Sequence, residues 1–110
     1  MAAAGRGSTS IADRVVAKIA AQAAREALGH VPEDGEAPHA MVTVHHDSAR
    51  VRVGLELDYP SDIGAQCGAV RGQVARRVKA LAGMEVPEVE VRVEKLHSAH
   101  SRDASQGRIR

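Results

Sequence analysis

Two hydrophobic periods alternate along the chain. Up to Leu28 the apolar positions recur at helical spacing. At about 100° per residue, Ile11, Val15 and Ile19 fall close together, Ala12, Ala20, Ala23 and Ala27 widen the stripe, and Arg14, Lys18 and Arg25 lie opposite. Ser8, Thr9 and Ser10 offer capping hydroxyls, so this helix is expected to start near Ser10, after a flexible segment over residues 1–9. Gly29 is placed to end it in a left-handed conformation. Residues 30–39, with Pro32, Gly35 and Pro38, read as an exposed connection.

From Met41 the period becomes two. Val42 and Val44 mark a short first strand, and His46, Asp47 and Ser48 turn the chain. In the second strand Val51, Val53, Leu55 and Leu57 point one way, and Arg50, Arg52, Glu56 and Asp58 the other, so one face is buried and the other wet. Pro60 stops the strand, and Ser61 or Asp62 can cap a second helix. There Ile63, Cys67, Val70, Val74, Val78 and Leu81 share an apolar arc, with Gly83 at its close. A third strand follows, in which Val89, Val91 and Val93 alternate with Glu88, Glu90, Arg92 and Glu94.

The order α-β-β-α-β, with one apolar stripe per helix and one apolar sheet face, predicts a two-layer α+β domain: a three-stranded sheet with two helices packed on one face. The last strand can lie beside either earlier one, and a parallel neighbour requires a right-handed crossover. The domain is bounded at residues 10–96. The tail over residues 97–110 has neither period nor apolar content and is expected to be disordered.

Composition narrows this further. With 110 residues there is room for one core, and with no Trp, no Phe and the single Tyr59 that core must be built from small aliphatic residues. A formal charge of +1 excludes the overall basic field of a general nucleic-acid coat protein. Cys67 has no partner for a disulfide, as suits a reducing compartment. With no signal-like start and no long apolar run, the expected location is cytoplasmic.

Ser10-Ile11-Ala12, Val15-Val16, Ile19-Ala20, Ala23 and Gly29-His30-Val31 resemble the opening helix of the alkaline shock protein 23 family. The strand from Val51 to Tyr59, the helix with Val70, Val74 and Val78, and the run from Gly83 to Val91 resemble the rest of that domain. The resemblance spans Ser10 to Leu96. It departs at Tyr59-Pro60, where the family often has Tyr-Gly, and at His30, which interrupts a Gly-Val pair. It implies a non-enzymatic bacterial protein of cell-envelope homeostasis, acting through protein contacts and held at the membrane by a separate anchored partner. It supplies no catalytic residues.

The residues offer little chemistry of their own. His45 and His46 are adjacent, so within a strand they would face opposite ways and could not share an ion. His97 and His100 are spaced for a metal site only in a helical tail, and no cysteine or acidic cluster joins them. Cys67 lies in an apolar stripe with no histidine near it in sequence, which favours a buried structural thiol. Gly64-Ala65-Gln66-Cys67-Gly68 has neither the P-loop ending nor the dinucleotide spacing. No enzyme activity, cofactor, metal or small-molecule substrate is therefore expected. The wet sheet face with Arg52, Glu56, Glu90, Arg92 and Glu94 is the candidate protein interface, an exposed strand edge is a second, and self-association is expected. The rival reading is an RNA- or ribosome-binding module of KH-like topology, with Arg71, Arg76, Arg77 and Lys79 meeting phosphates. Against it stand the absence of a Gly-x-x-Gly loop and of aromatic platforms for bases.

Overall fold

A computed structural model describes residues 2–98, with side chains from residue 12 onward. The order is α1 (Ala2–Leu28), β1 (His39–His45), β2 (Ser48–Tyr59), α2 (Ile63–Ala82) and β3 (Glu85–Ser98). The strands form one mixed sheet in the order β1-β2-β3, with β1 antiparallel and β3 parallel to the central β2. That settles the strand order left open by the periodicity. Among the described residues no helix is long and apolar enough to cross a membrane.

Both helices pack on one face. From β2, Ala49, Val51, Val53, Leu55 and Leu57 are buried against Val16, Ala20, Ala23 and Ala24 of α1 and Cys67, Val70, Val74 and Val78 of α2. With no large aromatic to fill space, alanines let α1 approach closely. α1 is rotated from the predicted stripe, since Val16 is buried while Val15 is 49% exposed. Alanines on several sides of α1 leave the phase weakly marked, and contact with the sheet decides it. The side chain of Ile11 lies outside the described residues. Leu81, in the last turn of α2, is likewise 63% exposed, bordering an open depression with Lys18, Ile19 and Arg77 between the helices.

The boundaries differ from those expected. α1 extends back to Ala2, its alanines being strong helix formers, and β3 runs through His97 to Ser98. The disorder expected of the tail falls, over residues 99–110, outside the described residues. The caps match the local chemistry: the Asp62 side chain accepts the Ala65 amide at 3.0 Å at the start of α2, and Gly83 closes it with φ +66°.

The two sheet edges are finished differently. His45 and Ser48 flank a two-residue turn and form a hydrogen-bonded pair, so Val44, opposite Ala49, turns its amide outward. The carboxylate of Asp13 on α1 accepts that amide at 3.0 Å. By the same alternation β2 turns its odd-numbered residues toward β3, as the bond from the Glu85 amide to the Asp47 carbonyl confirms at 2.9 Å.

Candidate functional site

No helix covers the other sheet face. β2 sends Arg50, Arg52, Glu56 and Asp58 there, β3 sends Glu88, Glu90, Arg92 and Glu94, and β1 adds His39, Met41 and Thr43. The five predicted interface residues therefore share one face, but not one environment.

At the open end the charges are paired in water. One oxygen of Glu90 accepts Nε of Arg92 at 2.7 Å and lies 3.1 Å from Nε of Arg52. The Arg92 hydrogen bond, joined by the Arg52 charge, holds the Glu90 carboxyl below its ordinary value. Beside this triplet Met41, Thr43, Arg50 and Glu88 border a shallow open depression of about 270 Å³, and Met41 is 65% exposed.

The opposite end is roofed. The connection over residues 29–38 folds across it, and the Gly35 backbone, beside buried Pro32, comes against the imidazole of His97. His97 is 8% exposed, and its Nε2 lies 2.6 Å from Oε1 of Glu56, which also accepts the Glu36 amide at 3.3 Å. The His97 hydrogen bond is the main reason the Glu56 carboxyl is held below its usual value. Glu56 was expected on the wet face with the other four, and here that expectation fails: the connection excludes water from it. His30 of the same connection pairs with Asp58 at 2.7 Å.

A third histidine joins the two outer strands. His39 of β1 and Glu94 of β3 meet at 2.8 Å across the central strand. Gly54 makes room for that crossing, since a Cβ there would collide with both side chains.

The pairing of these three histidines with carboxylates escaped the sequence reading, because the partners are 28 to 55 residues away. The one local signal was alternation, which places His39 on the face of Met41 and Thr43. His45 and His46 also differ from expectation. β1 ends between them, His46 takes φ +59°, and their rings meet edge-to-face with centroids 4.3 Å apart. Among the described residues no group of three or more His, Cys, Asp or Glu is placed to hold a metal ion. Cys67 is a buried free thiol within the core.

The four basic residues of the rival reading lie on α2, which is unbroken from Ile63 to Ala82. Arg77 pairs with Glu26 at 3.0 Å, Lys79 with Glu85 at 3.0 Å, and Arg76 donates to Gln73 at 3.1 Å. Gln73 and Arg77 together hold the Glu26 carboxyl below its ordinary value, Gln73 contributing most. Two of the four cations are thus already neutralised within the chain. No family model matches this chain, nor does any curated protein or solved structure.

Proposed function

We propose that this chain is a non-enzymatic protein that works through protein contacts, and that its working surface is the open end of the uncovered sheet face. The observation that carries this is the fixed charge array of Arg52, Glu90 and Arg92 beside exposed Met41, presented on a rigid sheet. An exposed cluster of opposite charges gives a partner of complementary pattern both steering and register. Glu94 lies on the same surface, and Glu56 supports it from under the connection.

The setting is cell-envelope homeostasis in a bacterial cytoplasm. The partners are a membrane-anchored or envelope-linked protein and further copies of the chain itself. This part of the reading rests on the resemblance to the alkaline shock protein 23 family. The RNA alternative is less well supported, because Arg77 and Lys79 are engaged within the chain and α2 has no loop to clamp a backbone.

Affinity capture from native cells tests the proposal, comparing the parent with the double variant Arg52→Glu/Arg92→Glu, each shown to be folded by circular dichroism. Recovery of a membrane-fraction protein by the parent, lost in the variant, is the expected result. Sub-micromolar RNA binding at physiological salt, abolished by Arg76→Glu/Arg77→Glu, would replace it with the RNA reading.

A further inference from the structure

We infer that a second copy of this chain pairs antiparallel with the free edge of β3 about a twofold axis at Val91, joining two sheets into one of six strands, three from each copy. This rests on the self-association in the reading above and gives it a surface and a register.

The backbone supplies the first argument. β2 turns Val51, Val53 and Leu55 toward β3, so their bonds run to Glu88, Glu90, Arg92 and Glu94, and the amides and carbonyls of Val89, Val91 and Val93 point away from the sheet. Among the described residues nothing hydrogen-bonds those three outward amides, whereas on the opposite edge Asp13 takes the Val44 amide. A long open edge carrying valines is a template for another strand.

The side chains then select the partner. The positions of β3 on the helix-covered face are Val86, Val89, Val91, Val93 and Leu96. Register shifts near each end of the strand move the outermost two off simple alternation. These five read the same in both directions about Val91. An antiparallel copy centred there sets Val86 against Leu96, Val89 against Val93 and Val91 against itself, and no other register superposes all five. Leu96, now 43% exposed, and the half-buried valines gain cover. On the other face Glu90 falls opposite Arg92 twice. Glu88 falls opposite Glu94, which hydrogen-bonds His39 across the sheet, so one like-charge pair flanks each side of the central contacts.

Room above the edge supplies a third argument. On α2, Gln73 and Arg77 face α1 through Glu26, while Lys79 faces β3 through Glu85. Gly68 and Ala75 lie within about 40° of Lys79 on that β3 flank at 100° per residue. A Cβ at Gly68 would meet nothing within 4 Å, so no contact among the described residues calls for a glycine there, at a cost of about 1 kcal/mol to the helix. A helix of the second copy, brought in over the joined strands, needs that clearance.

The test is the mass of the purified full chain by light scattering across a concentration series, for the parent and for Val91→Pro. Proline at 91 removes an outward amide but leaves the β2–β3 bonds made by Glu90 and Arg92, as edge strands tolerate. The expected result is a concentration-dependent dimer whose dissociation constant rises at least roughly tenfold in the variant, with an unchanged circular dichroism spectrum. A sample mixed from differently labelled chains keeps the proposal testable should Val91→Pro unfold. The α-hydrogens of Glu90 and Arg92 from different copies would show a strong nuclear Overhauser contact. A dimer lacking that contact, or insensitive to Val91→Pro while folded, overturns the edge assignment and leaves self-association standing. A chain that stays monomeric at millimolar concentration overturns both, and the capture of an envelope partner is judged separately.

Discussion

At one end of the uncovered sheet face Glu90 sits between two guanidiniums in open water. At the other, Glu56 meets His97 beneath a folded connection. The chemistry is the same, a carboxylate on the central or last strand and a basic partner across one strand spacing. What differs is the roof. Water screens the first pair and gives either partner an alternative, so little folding free energy depends on it. The second pair is shut in, and losing one member strands the other among groups that cannot replace its hydrogen bond. Thus one end of the face lies open to solvent, and the other fastens the chain to itself.

The largest separation between the two ends should appear on truncating the enclosed basic group. His97→Ala removes a buried ring, strands Glu56 and loosens Pro32 and Gly35 above it, for an expected loss of about 2 kcal/mol. Urea unfolding followed by circular dichroism measures this, and a loss no larger than that of an exposed variant would mean the roof is not closed in solution. A subtler difference lies in acid. In the folded chain Glu56 is held below its usual value, so its contribution is present above the carboxylate value of the unfolded chain. It fades as pH falls through the lower folded value. Glu56→Gln should therefore flatten the acid limb of the stability profile while leaving its shape above that range unchanged. The smallest effect belongs to the open end, where Arg92→Ala should stay within about 0.5 kcal/mol of the parent, a difference that shrinks further as salt is added.

What could be read from the chain follows the same division. The alternation in β2 and the valine spacing of α2 are local, and they gave two layers, one covered face and the position of Arg52, Glu90, Arg92 and Glu94. Strand order was not legible, because β1 and β3 both alternate and either could have sealed β2. The phase of α1 was ambiguous between Val15 and Val16, since alanine marks no side as strongly apolar. His97 had no local signal at all. It follows a polar run, and its burial comes from a connection some sixty residues earlier in the chain. Contacts of that separation leave no period to detect, so the enclosed pair was invisible while its exposed counterpart was plain.

A ribosome releases this chain from its N-terminus, so α1, β1 and β2 emerge before the strand that completes the sheet. In that interval β2 has one flank paired with β1, and β1 has one outward amide, that of Val44, held by Asp13, a residue made earlier still. The unfinished protein thus exposes the side of β2 carrying Val51, Val53 and Leu55, which turns its amides and carbonyls toward the place β3 will take. Parallel pairing with β3 has to wait for α2 to be made and laid across, which is the slow kind of closure. Asp13 thus blocks one backbone donor of the β1 edge throughout that interval, while the flank of β2 stays open until the last two elements are made.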